Sequence, residues 1–180
     1  MQETICFAWG ASSLGDFLIA TTSLGIVALE FGEDRIAMET ALRARFPEAI
    51  ISERPDVLEP IRMKVTRAIE EPGYEPDVPL DLRGTPYEVK VWRMLREIPA
   101  GETTNYGALA ARLGTRDARD VTTAIASNTI AVLVPCHRVI KKDGTISGYR
   151  WGFQRKRTLL ARERGLHKGS GSSRPGAREG

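Results

Sequence analysis

Two adjacent residues, Cys136 and His137, carry the strongest chemical promise in this sequence. They lie in VLVPCHRVI, with Arg138 beside them and an apolar run before them. A thiolate is a strong nucleophile, and a neighbouring imidazole or cation raises its reactive fraction. Residue types alone leave three meanings open: metal ligands, a protease-like pair, or a buried structural cysteine beside a chance histidine. Metal is poorly supported, because the other cysteine and histidine, Cys6 and His167, are remote in sequence. A hydrolase pair needs a further group to relay the proton, since adjacent residues rarely aim both side chains at one another. Cys6 reads as a small strand residue, and Trp92 and Trp151 as core.

The elements that must hold this segment divide by charge. Residues 1–80 carry 7 Lys and Arg against 14 Asp and Glu, whereas residues 81–166 carry 16 against 8. A basic half either meets a polyanionic partner or carries basic residues that merely solvate its helices. No apolar run approaches the ~20 residues that span a bilayer, and no secretory signal follows Met1, so no membrane partner and a cytoplasmic location are expected. Free thiols are expected there in place of a disulfide.

Turn clusters at Gly10–Gly15 and Ser23–Gly25 separate three β-rich segments, Thr4–Trp9, Asp16–Thr22 and Gly25–Phe31, which predict a three-stranded antiparallel meander. Helical stripes follow over Glu33–Phe46 and Pro55–Ile69. The proline-rich stretch EPGYEPDVPL falls where the charge changes sign, so the expected domains are 1–79, 80–166 and a disordered Gly/Ser-rich tail, 167–180.

The second half reads as helical. Thr85-Pro86-Tyr87-Glu88 resembles a capping box, Thr104 is placed to cap a helix through Ala111, and Gly114 ends it. A further helix is expected from Arg116 to about Ser127; with its predecessor it is consistent with a helix-turn-helix, although most such helix pairs bind nothing. AVLVP reads as a buried strand, Lys142-Asp143-Gly144 as a hairpin turn, and Gly152–Arg164 as a closing amphipathic helix.

Together, PCHRV at Pro135–Val139, Asn128 before it and SGYRWG at Ser147–Gly152 after it resemble the O6-alkylguanine-DNA alkyltransferase family. LDLRGT, the pair Val91-Trp92, IPAGETTNYGALA and LLARE extend the resemblance collinearly from Leu80 to Glu163, and residues 3–31 resemble the opening strands of bacterial members. The resemblance implies an α/β N-terminal domain of ribonuclease H-like type and a mainly α, winged-helix-like helix-turn-helix domain. It implies direct-reversal repair, in which a monomer binds duplex DNA containing O6-alkylguanine, flips the base and moves the alkyl group irreversibly to its own cysteine. No cofactor and no metal are implied.

On matching positions, the resemblance makes Cys136 the acceptor and His137 a base acting through water, with Glu163 orienting the imidazole. Asn128 would hold the active-site turn, and Tyr106 would donate toward the departing guanine. Arg119 would fill the gap in the base stack; the carbonyls of Cys136 and Val139 and the amide of Ser147 would read the guanine edge. Ile146 and Ser147 would shape the alkyl pocket. Glu163→Gln is expected to slow transfer and leave the fold near normal.

The sequence departs from the family on the second helix of the motif. Asp117 and Asp120 flank Arg119, and Thr122 and Thr123 stand where small residues are usual. These carboxylates oppose a phosphate backbone unless they pair with Arg112 or Arg116. Two rival readings remain: a lesion-sensing alkyltransferase-like binder, against which Cys136 argues, and a helix-turn-helix transcription factor with a buried thiol.

Overall fold

The computed structural model describes residues 2–115 and 117–179, with side chains as far as Leu166. Two compact units emerge: Met1–Thr85 with Thr129–Leu133, and Pro86–Asn128 with Val134–Gly180.

In the first unit, β1 (Thr4–Gly10), β2 (Phe17–Thr22) and β3 (Gly25–Phe31) form the antiparallel meander. A fourth strand, β4 (Ile50–Glu53), joins parallel to β1, giving the order β3-β2-β1-β4 and correcting the three-stranded expectation. Only Ile51 of its four residues is buried, so no local pattern announces it. Its partner lies far back in the chain, and parallel neighbours need a crossover, which includes α1 (Arg35–Arg45). Asp34 caps α1 by accepting the Ala37 amide at 3.0 Å, and Leu42 packs with Ile5, Phe7, Leu18 and Val27. Phe17, Leu18, Ile19 and Ala20 are consecutive and all buried, so both faces of the sheet are covered. α2 (Pro55–Glu70) packs along β1 and buries Leu58, Val65 and Ile69.

β3 lies at the edge of the sheet, and an open edge is a hazard. Two pieces of chain cover it, with Leu80 bridged to Ile26 and Ile130 to Leu29. The Ile26 amide donates to Pro79 O at 2.9 Å, and the Asp81 amide donates to Ile26 O at 2.7 Å. Residues 80–85 therefore belong to the first unit, not the second as expected. Asp81 is buried, takes the Thr22 hydroxyl at 2.6 Å and pairs with Arg83, which also pairs with Glu3. The expected strand AVLVP is likewise corrected. After the bridge at Ile130, the Leu133 amide donates to Ala131 O at 2.6 Å around Val132, whose φ is 67°. That is a γ-turn of positive φ, which β-branched residues rarely adopt.

The second unit contains α3 (Pro86–Arg96), β5 (Thr104–Asn105), α4 (Tyr106–Leu113), α5 (Ala118–Ala126), β6 (Val139–Ile140) and α6 (Phe153–Glu179). α3 buries Val91, Trp92, Met94 and Leu95, and Trp92 Nε1 donates to Ala124 O of α5 at 2.8 Å. Burying such a side chain is worth about 2–3 kcal/mol. Asn105, not Thr104, caps α4 by accepting the Ala108 amide at 2.8 Å, because Thr104 is paired with Val139 across β5 and β6. Gly114 closes α4 at φ 75° and Asp117 caps α5, so the two helices of the motif are in place. Arg116, expected to open α5, lies outside the described residues. α6 is anchored by buried Leu159 and Leu160, and its backbone runs on to Glu179 where a disordered tail was expected.

Gly25 tests the edge arrangement. Its φ is 146°, and a Cβ there would meet Pro79 O at 2.4 Å. Gly25→Ala should destabilise by on the order of 3 kcal/mol, from backbone strain plus overpacking. Urea unfolding monitored by tryptophan fluorescence measures this, and a midpoint equal to that of the parent would show that the Pro79–Leu80 segment is not held on β3.

Candidate active site

The polypeptide reaches Cys136 through a second tight turn. The Cys136 amide donates to Val134 O at 2.7 Å around Pro135, at φ −79° and ψ 61°. These are inverse γ-turn angles, which proline's fixed φ suits. Asn128, buried just beyond α5, donates Nδ2 to Val134 O at 3.2 Å and to Cys136 Sγ at 3.3 Å. One side chain thus holds both the turn and the sulfur. Cys136–Arg138 form a single 3₁₀ turn, and the Val139 amide closes it on Cys136 O. Burial pushes the Cys136 thiol up to about 11, against the lowering effect of the Asn128 hydrogen bond and the charges of Lys156 and Arg150. The group rests as a thiol, so the reactive anion requires a base.

His137 is fully buried, and its Nε2 lies 2.9 Å from Glu163 Oε2. Burial alone would raise the Glu163 carboxyl, but hydrogen bonds from His137 and Arg138 outweigh it and hold it at about 2. An ionised carboxylate only accepts, so Nε2 carries the proton. Burial lowers the His137 pKa, which keeps the ring neutral and leaves the lone pair on Nδ1. Among the described residues Nδ1 has no hydrogen-bond partner. Arg138 also forks onto Glu163, with Nε and Nη2 each 2.9 Å from an oxygen, while Nη1 donates to Ile98 O at 2.6 Å.

Lys156 was missed in the sequence, where it stands between Arg155 and Arg157 on the expected closing helix. It is buried, and Nζ donates to Val139 O at 2.7 Å, Ser147 Oγ at 3.0 Å and Gly148 O at 3.3 Å. Burial lowers its pKa to about 8, with Cys136 acting in opposition. The available signal was its spacing from Leu159, Leu160 and Glu163, which puts it on the inward stripe of α6. Tyr149 was missed as well: its hydroxyl is buried with no partner among the described residues, and burial raises its pKa well above the ordinary value.

Tyr106, the first residue of α4, places its hydroxyl 2.5 Å from Ser147 Oγ, so Tyr106, Ser147 and Lys156 form one chain of hydrogen bonds. Val139 contributes its carbonyl to the same cluster. Ile146 and Glu163 line a cavity of about 190 Å³ that Cys136 does not line. Arg119 stands apart on α5, 90% exposed and paired with Asp117. Arg112 pairs with Glu97 and not with Asp120, which is exposed, as are Thr122 and Thr123. No group of three or more His, Cys, Asp or Glu among the described residues is placed to hold a metal, and no described helix is long and apolar enough to cross a membrane.

A family profile described as 6-O-methylguanine DNA methyltransferase, DNA binding domain, matches residues 86–165. The chain is 37% identical to the inducible methylated-DNA–protein-cysteine methyltransferase of Bacillus subtilis (strain 168), over 83% of this chain and 84% of that one. It is 39% identical to the bifunctional transcriptional activator/DNA repair enzyme Ada of Escherichia coli (strain K12), over 87% of this chain. It spans less than half of that relative, 45% of its length. Among solved structures, Mycobacterium tuberculosis OGT in complex with DNA superposes with a TM-score of 0.74 at 32% identity, covering 89% of this chain and 93% of the other.

The Glu163 geometry corrects the expectation that Glu163→Gln leaves the fold near normal, because Arg138 would lose its buried partner. With a folded pKa of about 2 against an ordinary 4.5, the Glu163 carboxylate contributes stability that is complete above pH ~4.5 and lost as pH falls toward 2. The linkage amounts to roughly 3 kcal/mol. Buried neutral His137 acts in the same direction, losing stability as pH falls below its ordinary range. Urea unfolding at pH 7, 4 and 2.5 should show Glu163→Gln less stable at pH 7 by roughly that amount and flatter below pH 4.5. Parallel profiles for variant and parent would mean that the carboxylate is solvated and unpaired.

Proposed function

The chain belongs to the O6-methylguanine-DNA methyltransferase family, and from this we propose that it repairs O6-alkylguanine in duplex DNA by irreversible transfer of the alkyl group to Cys136. The carrying observation is a buried thiol held by Asn128 next to a neutral imidazole whose Nε2 is committed to Glu163. The only ring nitrogen left to take a proton is Nδ1.

In this reading the damaged nucleotide is extruded at a cost of a few kcal/mol. Arg119, exposed on the second helix of the motif, replaces it in the stack. The basic half of the sequence supplies phosphate contacts that do not depend on base sequence. His137 Nδ1 takes the thiol proton through a water. The sulfur then attacks the alkyl carbon, the S–C bond forms, and the C–O6 bond breaks with its electron pair moving into the guanine. Tyr106 donates its proton to the departing ring, and the proton held on His137 then returns through water to restore the phenol, so that one proton moves, net, from sulfur to guanine. Lys156 opposes the negative charge that develops on the sulfur.

The carbonyls of Cys136 and Val139 already accept the Val139 amide and Lys156, and each keeps a second lone pair for the guanine edge. Ser147 offers its amide, and with Ile146 it borders the alkyl group. The finer parts of the reading are a ribonuclease H-like first unit, a winged-helix-like second unit, a monomer and a cytoplasmic location.

The thioether product has no group that water readily displaces, so each chain should transfer one alkyl group and stop. With limiting protein and excess O6-methylguanine duplex, demethylated guanines should equal protein chains, with the added methyl on the peptide carrying Cys136. Cys136→Ser should bind the duplex and transfer nothing. Sustained turnover, or label on another peptide, would overturn the assignment.

A further inference from the structure

On α5 the same carboxylate serves two masters. Asp117 accepts the Arg119 amide at 2.9 Å as the helix cap, and it holds the Arg119 guanidinium with Nε at 3.1 Å and Nη2 at 3.0 Å. The Arg119 hydrogen bond lowers the Asp117 pKa, and Asp117 raises that of Arg119, so both stay charged at neutral pH. Arg119 is 90% exposed, so little besides Asp117 holds its charged end near the start of α5. An arginine that enters a base stack must extend away from its own helix. It cannot keep a two-point contact with a carboxylate two residues before it.

We propose that Asp117 is a positioning residue that parks Arg119 in the free protein, so that the pair must open before Arg119 can enter the duplex. The proposal rests on the function proposed above. An exposed pair is weak and screened by salt. The parked state therefore slows insertion modestly and in a salt-dependent way. Asp120 offers a comparison: it lies on the same helix, is exposed and carries the same charge, and it acts on Arg119 through space, a smaller influence than the hydrogen bond from Asp117.

Asp117→Asn keeps a side-chain oxygen able to cap the helix and removes the charge that holds Arg119; Asp117→Ser is a second capping replacement. Both should speed single-turnover transfer from O6-methylguanine duplex at low salt by about two- to five-fold beyond Asp120→Asn. The advantage should disappear at high salt and in an Arg119→Ala background. Rates with the free base O6-methylguanine, which needs no flipping, should match the parent. Equal gains from Asp117→Asn and Asp120→Asn, or a gain that survives Arg119→Ala, would overturn the proposal. If the parent itself transfers nothing, the alkyl-transfer reading fails. Anisotropy titrations of the lesion duplex then decide the parking contact separately: tighter binding by Asp117→Asn than by Asp120→Asn upholds it, and equal affinities overturn it.

Discussion

Glu163 carries a negative charge into a place where charge is expensive. Removing an ion from water costs several kcal/mol unless strong partners replace the solvent, and here Arg138 and His137 both do so. The guanidinium supplies a two-point match and the imidazole supplies one N–H. Because Arg138 also bonds Ile98 O, just past α3, a single carboxylate ties together α6, the 3₁₀ turn and the end of α3. The same contact settles the tautomer of His137. Structure and chemistry therefore hang on one buried charge, and removing it changes both.

The Cys136 sulfur is governed by the opposite balance. Desolvation outweighs every favourable contact around it, since its pKa stands at about 11 against an ordinary 9.0. Asn128 and the Lys156 charge reduce that penalty without reversing it. Lys156 can stay in the interior because all three of its donors have acceptors. In the proposed reaction such a site would keep its nucleophile protonated until a substrate arrives, with a positive charge already in place for the anionic sulfur. Preorganised charge of this kind needs no rearrangement during the reaction.

Much of this was legible in the sequence, for identifiable reasons. Cys136, His137 and Asn128 stood out because residue type and spacing together are specific, and the β meander showed through β-branched runs between turns. β4 escaped because a four-residue edge strand with one buried side chain has no period to detect, and its pairing is non-local. AVLVP has the composition of a strand, yet its neighbours β3 and Asn128 take up its backbone groups one at a time and leave two γ-turns. Composition could not reveal that, because tertiary context overrode propensity. Lys156 was hidden by averaging over a basic run, although its place on the stripe of Leu159, Leu160 and Glu163 was available to a stricter reading of period.

The carboxylates of α5 looked, in the sequence, like plain obstacles to a phosphate backbone. Their positions give them a second meaning. α5 has nine residues, and a helix that short is marginal without tertiary packing and a cap. Asp117 supplies the cap, and Asp120 in the first turn sits where the helix dipole favours a negative charge. Both therefore stabilise the helix that carries Arg119 while opposing the polyanion it would meet. Packing contributes through Val121, Ala124 and Ile125, with the Trp92 indole on Ala124 O, so the exposed face is free to carry charges of either sign. In the proposed reading, the local charge pattern of α5 is a compromise between helix stability and attraction to a polyanion. The net basic charge of the second half leaves room for that compromise, since two carboxylates on one helix do not reverse the sign of a half with 16 Lys and Arg against 8 Asp and Glu.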